Sequence, residues 1–418
     1  MKIAFIVDAF PCLSETFILN QITGLIDRGH DVDIFANGPR NDTMIHADIE
    51  RYNLLNRTFY FSHGTSYQTM PKNICVRIIK AIILVITNFH KKPIPLLKSL
   101  NILTYGKESA SLCLLYKTVT FLNKNTYDIV HCHFGHNGNL GVILKYIGAI
   151  KGKVITTFHG ADISWSLKRQ GSNMYDYLFK QGDLFLPISE RWKKELIRLG
   201  CNERKIIVHR MGIDTSKFEY LDRKLNDDGK IQLLTIARLV EKKGVQYGIQ
   251  AVAKVLKEYQ NIEYTIVGDG HLKNDLENLI DELNINNKIK LVGRKRQEEI
   301  IELMKQTDIF LAPSVTAEDG DQEGIPVVLM EALSQGIPVI STRHSGIPEL
   351  VEDGKSGFLV PERDVEGLSE KLEYLIKHQE TWPQMGREGS ACVEKYFDIN
   401  KLNNQLVELY QQLLSGDL

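Results

Sequence analysis

Short apolar runs alternate along the chain with longer stretches in which apolar residues recur at helical spacing. This alternation predicts an α/β fold in which helices cover parallel sheets. A polar, turn-rich break at Asn226-Asp-Asp-Gly229 divides the expected strands into two similar series. Because doubly wound sheets bind ligands beyond the carboxyl ends of their strands, two facing sheets would enclose a cleft. The strands are expected at Lys2–Asp8, Asp31–Ala36, Asp128–His133, Val154–His159, Leu184–Ser189 and Lys205–His209, then at Ile231–Ile236, Glu263–Val267, Ile289–Val292, Ile309–Ala312, Pro338–Ser341 and Phe358–Val360.

Two glutamates stand eight positions apart in the run Glu323-Gly-Ile-Pro-Val-Val-Leu-Met-Glu331. Pro326 suits the first turn of a helix that Gly336 and Pro338 would end. The N-terminus of a helix offers unpaired N–H groups and a partial positive charge, which favour a phosphate. Ionised glutamates only accept hydrogen bonds, and they suit the hydroxyls of sugars. The run therefore indicates a ligand with phosphates and sugars, and a buried helix with two surface glutamates is the alternative.

Two cations follow the expected strand Ile231–Ile236, in the segment Arg238-Leu-Val-Glu-Lys-Lys243-Gly. Arginine can hold a phosphate bidentately, and lysine acts on it as a point charge. With a helix N-terminus opposite, Arg238 and Lys243 would neutralise a diphosphate without a metal ion. A solvated turn is the alternative, because Glu241 and Lys242 belong to the same segment.

Length and composition indicate an ordinary globular protein of two domains. The chain has 418 residues, of which 43% are hydrophobic and 25% charged. Its net charge of −1 gives no reason to expect nucleic acid as a partner. The six cysteines include no C-x-x-C pair, which fits a reducing compartment. The start does not resemble a signal peptide and no apolar run reaches 18 residues, so we expect a cytoplasmic protein.

The region Pro71–Thr120 differs from the rest of the chain in its charge. It carries eight basic residues and one acid, Glu108, among many Ile, Leu and Val residues. A basic amphipathic surface is suited to anionic lipid, which would bring the protein to the inner face of the cell membrane. Ordinary helices with a solvated basic side are the alternative.

Six motifs follow one another along Ile231–Asp364: Arg238-x4-Lys243-Gly, Val-Gly-Asp-Gly270, Leu-Val-Gly-Arg294, Ala-Pro-Ser314, Glu323-x7-Glu331-Ala and Ser-Gly-Ile-Pro-Glu349. Together they resemble the retaining glycosyltransferases of family four, which have the GT-B fold and the E-x7-E motif. The first half matches more loosely, through Arg-Gly-His30-Asp-Val, Thr-Phe-His159-Gly and Met-Gly-Ile-Asp214. Its start, Leu-Ser-Glu-Thr-Phe-Ile-Leu-Asn-Gln, is similar to a bacterial exopolysaccharide subgroup of the colanic-acid and amylovoran type.

The resemblance implies a GT-B architecture of two facing Rossmann-like, doubly wound domains with a central cleft. Residues 1–214 would form the acceptor-side domain and 215–229 a linker. Residues 230–395 would form the domain that binds the nucleotide-sugar donor. The carboxyl-terminal helix, within 396–418, would cross back to the first domain.

The resemblance also implies roles for single residues. Arg238 and Lys243 would hold the donor diphosphate, Glu323 the transferred sugar and Glu331 the ribose hydroxyls. His159 would reach the sugar from the first domain. The remaining donor contacts would be Gly293 and Arg294 beside the base, and the backbone of Gly324, Ile325, Val327, Val328 and Leu329.

The first loop departs from the family pattern. Many members have Gly-Gly where this chain has Ser14-Glu15-Thr16, so a backbone approach to the donor would be less close. Glu15 and Thr16 remain candidate contacts for substrate hydroxyls.

Two groups of residues have side chains that could bind a metal ion, but metal binding is not the preferred interpretation of either group. Asp319-Gly-Asp321 is an Asp-x-Asp pair, but Arg238 and Lys243 already supply positive charge. The histidines of the segment His131-Cys-His133, with His136, lack a further cluster of ligands, so we expect buried or cleft-lining side chains. No metal and no cofactor are expected.

The expected reaction moves a hexose from a nucleotide diphosphate sugar, UDP-glucose or UDP-galactose before GDP-mannose, to a hydroxyl. The acceptor would be a glycan or a polyprenyl-linked oligosaccharide in polysaccharide biosynthesis. A nucleotide-sugar epimerase and a non-catalytic nucleotide-sugar sensor of the same fold are the alternatives. An oxidoreductase is disfavoured, because Gly268-Asp-Gly270 lacks the spacing of a dinucleotide fingerprint.

Overall fold

The computed structural model describes residues 1–12, 15–40, 46–61, 70–122, 124, 126–225 and 229–418. Ser14 of the first loop and residues 226–228 of the expected break lie outside the described residues. The strands are β1 (Lys2–Ala9), β2 (Asp31–Gly38), β3 (Thr58–Tyr60), β4 (Thr126–His133), β5 (Lys151–Phe158), β6 (Leu184–Pro187), β7 (Ile231–Ile236), β8 (Ile262–Val267), β9 (Ile289–Leu291), β10 (Ile309–Ala312), β11 (Val339–Thr342) and β12 (Gly357–Val360).

The strands form two six-stranded sheets, and every strand pair within them is parallel. The first sheet has the order β3-β2-β1-β4-β5-β6, and the second has the order β12-β11-β10-β7-β8-β9. Read from β9 to β12, the second sheet has the same arrangement as the first, with β7 to β12 in the places of β1 to β6. Both sheets are therefore doubly wound and Rossmann-like, which confirms the predicted α/β class.

One expected strand, Lys205–His209, is wrong. Ile206 forms a single isolated bridge to Phe185 of β6. Ile207 and His209 donate N–H groups to the carbonyls of Phe185 and Pro187. A longer parallel ladder needs an N–H returned from the position of Pro187, and proline has none.

Helices cover both sheets. Within the described residues the α-helices are α1 (Thr16–Asp27), α2 (Ala47–Arg51), α3 (Ile74–Asn88), α4 (Pro93–Ser99), α5 (Ile102–Ala110), α6 (Cys113–Phe121), α7 (Gly135–Ile147), α8 (Trp165–Gln170), α9 (Asp176–Gln181), α10 (Glu190–Arg198), α11 (Val245–Val255), α12 (Lys273–Glu282), α13 (Gln297–Lys305), α14 (Val327–Ser334), α15 (Val365–Lys377), α16 (Trp382–Tyr396) and α17 (Ile399–Ser415). Among them, none is long and apolar enough to cross a bilayer.

The last helix, α17, packs against the first sheet although it follows the second in the chain. Its buried residues Leu406, Tyr410 and Leu413 share one apolar cluster with Ile3 and Phe5 of β1. The Tyr410 hydroxyl also lies 2.5 Å from Nδ1 of the His131 ring in β4. The end of the chain thus contributes to the core of the first domain.

The strand order determines where a ligand can bind. The order reverses direction between β1 and β4 in the first sheet, and between β7 and β10 in the second. At such a switch point the connections leave in opposite directions, and a crevice opens beyond the strand ends. His133 ends β4 and Arg238 follows β7, so both stand at these two positions.

Candidate active site

The second domain contributes a charged wall to the cleft, which we call the donor wall: Arg238, Lys243, Glu323 and Glu331. Lys243 lies in the turn after β7, and its Nζ is 2.9 Å from Oε2 of Glu323. Gly244 continues this turn at a φ of +60°, close to the carbonyl of Pro313, where a side chain would not fit. Arg238 is exposed and makes no ion pair with any residue that the structure describes. This wall therefore carries cations that an anion can reach.

Lys242 belongs to the same network. Its side chain is buried, and its Nζ lies 3.0 Å from Asp321 and 3.5 Å from Glu323. Burial acts to raise the pKa of Glu323, but the charges of Lys243 and Lys242 outweigh burial and lower it. Glu323 is therefore a carboxylate near neutral pH, suited to accept hydrogen bonds from hydroxyls.

The backbone of Glu323 is held by residues that sequence reasoning missed. Its N–H donates to Nε2 of His344 at 3.0 Å, and Nδ1 of that buried ring lies 2.6 Å from the Glu362 carboxylate. The hydroxyl of Ser345 donates to the Glu323 carbonyl at 2.6 Å. His344 and Ser345 thereby fix the backbone position of Glu323. Their sequence signal is the Ser-Gly-Ile-Pro-Glu349 motif, of which Ser345 is the first residue and which His344 directly precedes.

Glu331 lies on the buried side of α14, and its environment differs from that of Glu323. Among the described residues its hydrogen-bond partner is the side-chain amide of Gln297, at a long distance of 3.4 Å. Burial raises the pKa of Glu331 to about 7, and the contact with Gln297 opposes this rise only in part. The carboxyl of Glu331 therefore changes charge near neutral pH.

The N-terminus of α14 lies between the two glutamates. Pro326 occupies the N-cap position, one residue before the expected first turn, and α14 begins at Val327. Val327 and Val328 are half-buried, and N–H groups of a first turn lack helical partners. The N–H of Leu329 instead donates to the Pro326 carbonyl, and the Leu329 side chain is buried in the core. The amides best able to meet a diphosphate are those before Leu329.

The remaining donor-side candidates lie around these groups. Gly324 joins Glu323 to the buried side chain of Ile325. Gly293 follows β9 with a φ of +72°, and its carbonyl accepts the N–H of Gly268. Arg294 is exposed, with Nε 3.4 Å from the Asp269 carboxylate. The structure thus brings Gly293 and Arg294 to the carboxyl end of the second sheet, as expected for residues beside a ligand.

The first domain contributes a neutral wall, which we call the histidine wall: His131, His133 and His159. All three side chains are buried. Nδ1 of His133 lies 3.0 Å from Nε2 of His159, whose Nδ1 lies 3.2 Å from the sulfur of Met211. Burial lowers the pKa of His159 to about 3, with a further contribution from His131. The rings of His131 and His133 have no exposed area and support the wall from within, so His159, which is 7% exposed, is the ring of the three that a ligand in the cleft can meet.

The two walls approach closely through two glycines. A Cβ on Gly324 would lie 2.5 Å from Cδ1 of Ile188 and 2.6 Å from the carbonyl oxygen of His159. A Cβ on Gly160 would lie 3.1 Å from the Glu323 carbonyl oxygen. Glycine at 324 is needed because any side chain would push the domains apart. The donor wall and histidine wall therefore line one cleft.

Glu349 clamps the second domain to the first. Its carboxylate accepts the N–H groups of Glu190 and Arg191, both at 3.0 Å, at the N-terminus of α10. It also lies 3.2 Å from the guanidinium of Arg210. A carboxylate at a helix N-terminus is stabilised by the N–H groups and the helix dipole. Glu349 is thus a contact across the cleft, although sequence reasoning gave it no role.

The described residues of the first loop lead into α1. Glu15 precedes α1, and Thr16 is the first residue of that helix. Burial raises the pKa of Glu15 to about 7, as does the nearby charge of Asp8, whereas the positive charges of Arg40 and Arg238 oppose this rise.

The residues considered as possible metal ligands form hydrogen bonds and ion pairs with other protein groups. Asp321 pairs with Lys242, and Oδ1 of Asp319 accepts the N–H of Asp321. His136 lies 2.5 Å from Asp8, and His131 contacts Tyr410 and Thr157. Within the described ranges, no three His, Cys, Asp or Glu side chains are grouped to hold a metal ion.

Comparison with known proteins agrees with this geometry. The family model for group 1 glycosyl transferases matches residues 216–391, and the model for glycosyltransferase family 4 matches residues 14–217. The amylovoran biosynthesis glycosyltransferase AmsK of Erwinia amylovora is 39% identical over 419 residues, which cover 99% of this chain and all of the relative. The putative colanic acid biosynthesis glycosyltransferase WcaL of Escherichia coli K12 is 37% identical over 416 residues, with 99% and 100% covered.

A solved structure has the same fold. HepE of Anabaena, crystallised with UDP and glucose, superposes with a TM-score of 0.71 at 18% identity, over 99% of this chain and all of that chain. The two Rossmann-like sheets with a cleft between them are therefore the GT-B fold, as predicted.

Proposed function

The chain belongs to glycosyltransferase family 4, in the group of exopolysaccharide-type enzymes that resemble AmsK and WcaL, and from this premise we propose a specific reaction. The protein transfers a hexose from a nucleotide diphosphate sugar to a hydroxyl of a glycan or polyprenyl-linked oligosaccharide, with retention at the anomeric carbon. It acts in the assembly of an exopolysaccharide. UDP-glucose or UDP-galactose is the favoured donor, since HepE was crystallised with UDP and glucose.

The observation that carries this proposal is the donor wall at the switch point of the second sheet. Lys243 and Arg238 stand where a diphosphate would lie, beside the first turn of α14. As the bond to the sugar breaks, negative charge grows on the leaving nucleoside diphosphate. Positive groups already in position stabilise this charge without reorganisation, which is often the largest catalytic contribution.

Glu323 fits a positioning role better than that of a nucleophile. Two lysines hold its charge, and His344 and Ser345 hold its backbone. Both glutamates of the motif belong to one wall, so they do not flank the sugar as the acid and base of a glycosidase do. We therefore propose that the leaving phosphate takes the acceptor proton on the same face of the sugar, and that Glu323 binds sugar hydroxyls. His159 meets the sugar from the opposite wall.

A panel of nucleotides tests the donor. UDP, GDP, ADP and their common sugars are each added to the protein, and its thermal unfolding is followed. A nucleotide at about 100 times its dissociation constant should stabilise the protein by roughly 2.7 kcal/mol. UDP should give the largest shift; the largest shift with GDP would favour a mannosyltransferase that uses GDP-mannose.

An acceptor assay tests the reaction class. Donor labelled in the sugar is incubated with the protein and a lipid or glycan extract of exopolysaccharide-forming cells, and the label is followed. Transfer of label to a larger glycan supports the proposal. An epimerase would convert the donor sugar without an acceptor, and a sensor would bind the donor and leave it unchanged.

A further inference from the structure

The helices α3, α4 and α5 present an apolar surface to solvent. Among the described residues, twelve of the twenty-two large hydrophobic side chains that are exposed lie between Ile74 and Leu103. Ile79 is 59% exposed, Ile86 is 69% exposed and Leu103 is fully exposed. We call this surface, with its flanking lysines, the apolar–basic face. Exposed apolar surface of this extent marks an interaction site rather than ordinary surface variation.

Helix α3 carries apolar residues on the side that faces solvent, where an ordinary surface helix has polar residues. It buries only Ala81 and Leu84 against the small cluster formed with α4 and α6. Ile79, Ile82 and Ile86 recur at helical spacing on the opposite side, where polar residues are normal. A helix that is apolar on both sides needs a second apolar environment.

The charged residues of this stretch are basic up to Glu108, an exposed acid of α5 that lies 3.7 Å from Lys117. After Glu50, the next acidic residue in the chain is Glu108. Lys72, Lys91 and Lys98 are exposed along this stretch, whereas Arg77 donates to backbone carbonyls of the same region. A second copy of the chain would place lysines against lysines, so charge does not favour a dimer through this face. Its complement is a surface that is both apolar and negatively charged.

Tyrosines border the same face. The ring of Tyr146, in α7, is 6.3 Å from that of Tyr177, and Nζ of Lys98 lies 5.4 Å from the Tyr146 centroid. Both tyrosine rings are exposed. Tyrosine is enriched where a protein meets the headgroup level of a bilayer, because its ring is apolar and its hydroxyl is polar.

We propose that the apolar–basic face docks on the surface of an anionic lipid bilayer. The isoleucines of α3 enter the boundary between headgroups and acyl chains, and the lysines contact lipid phosphates. Because α3 has 15 residues, it lies along the surface and does not span the bilayer. Docking in this way does not depend on the proposed transfer reaction, so the two can fail separately.

Vesicle sedimentation with the full chain tests this proposal. The protein is mixed with vesicles of phosphatidylglycerol and phosphatidylethanolamine, and separately with vesicles of phosphatidylcholine. It should sediment with the anionic vesicles at low salt, and the bound fraction should fall as salt screens the lysines. An absence of binding to anionic vesicles at low salt would overturn the proposal.

Two sets of variants separate the apolar from the electrostatic contribution. Ile79→Gln with Ile82→Gln and Ile86→Gln should lower the partition coefficient by about tenfold or more. Lys91→Gln with Lys98→Gln and Lys107→Gln should lower binding to anionic vesicles by a similar factor and weaken its dependence on salt. The substituted side chains are largely exposed, so thermal unfolding should not change.

Matched controls lie on other parts of the chain. They are Ile197→Gln with Leu283→Gln and Leu414→Gln, and Lys224→Gln with Lys257→Gln and Lys290→Gln. These controls should bind vesicles as the unchanged protein does. Wild-type binding by the triple isoleucine variant would overturn the proposal. So would a dimer in sedimentation equilibrium that this variant abolishes, because a second copy would then cover the face.

Discussion

The two walls of the cleft differ in charge, because one carries ionised side chains and the other carries neutral histidines. In the donor wall, Lys243 and Glu323 form an ion-paired group with the neighbouring Lys242, whereas the histidine wall holds buried rings whose pKa values burial lowers. In the proposed transfer, negative charge grows on the leaving diphosphate while positive charge grows on the sugar ring, and the acceptor hydroxyl gives its proton to the leaving phosphate. In the proposed reaction the cations of the donor wall would stabilise the leaving group, and His159 would give the sugar an uncharged contact.

The same contrast occurs within the donor wall, between the two glutamates of one motif. Glu323 has two lysines beside it and a lowered pKa, whereas Glu331 has Gln297 as its hydrogen-bond partner among the described residues and a pKa raised to about 7. Identical residues eight positions apart therefore differ in charge because of their neighbours. The spacing places both on one wall, and the surrounding residues decide what each can do.

Removal of Lys243 should have the largest effect. Lys243→Ala takes away a cation that stabilises the leaving diphosphate, so turnover should fall by about 10²–10³-fold. Steady-state transfer rates measure this fall, and thermal unfolding should show that the fold persists. Lys254→Ala, an exposed lysine of the same domain, is the control and should leave turnover unchanged. Near-normal turnover of Lys243→Ala would refute the diphosphate role.

Acidification should destabilise the protein through the histidine wall. Unfolded histidine titrates near pH 6.5, whereas His133 stays neutral to lower pH when folded, because burial lowers its pKa. Below pH 6.5 the unfolded state binds more protons, so each such histidine lowers the free energy of unfolding by about 1.4 kcal/mol per pH unit. Glu331 and Glu15, with raised pKa values, act with the opposite sign between about pH 4.5 and 7.

Denaturant unfolding between pH 6.5 and 5 isolates the contribution of one ring. His133→Phe should reduce the slope of unfolding free energy against pH by about 1.4 kcal/mol per unit, whatever its constant effect on stability. The exposed His271→Phe is the matched control and should keep the wild-type slope. Equal slopes for His133→Phe and the wild type would mean that this ring becomes protonated in the folded protein.

Glu331 should make donor binding depend on pH. Its carboxyl is protonated below about pH 7 in the free protein, and the ribose hydroxyls are best met by the carboxylate. The affinity of Glu331→Gln for UDP should therefore be lower, and the ratio of the two dissociation constants should grow several-fold between about pH 6 and 8. Calorimetric titration measures both proteins, and phosphate ionisation cancels in the ratio. A ratio of one at every pH would contradict the ribose assignment.

Removal of the Glu349 carboxylate, which joins the two domains, should have the smallest effect. Glu349→Ala removes a carboxylate that binds the N-terminus of α10, so the two domains should be held together less firmly. We expect KM for the donor to rise by a factor of about five, which corresponds to about 1 kcal/mol. Glu352→Ala, whose side chain is exposed, is the control. An unchanged KM for Glu349→Ala would show that this contact does not contribute to closure.

Much of the fold could be predicted from the sequence because buried parallel strands are continuous apolar runs. The bounds of β7 and β10 match the prediction at both ends. The edge strand β3 was not predicted, and all three of its residues are only partly buried. The prediction for Lys205–His209 failed because hydrogen bonding depends on the neighbouring strand, which ends in Pro187.

The site could be predicted in part. Arg238, Lys243, Glu323 and Glu331 belong to motifs with fixed spacing, and the structure brings them to one side of the cleft. Their supporting residues are distant in sequence, and no spacing rule connects His344 with the Glu323 backbone or Glu349 with α10. Such contacts arise only when two domains or two loops meet, so sequence patterns leave them hidden.

A crystal structure with bound UDP tests the central claim most directly. The account predicts diphosphate oxygens within about 3.5 Å of Lys243 and Arg238 and of the first-turn amides of α14. It also predicts the ribose beside Glu331. A diphosphate bound elsewhere in the cleft, or a nucleotide bound outside it, would contradict the assignment of the donor wall.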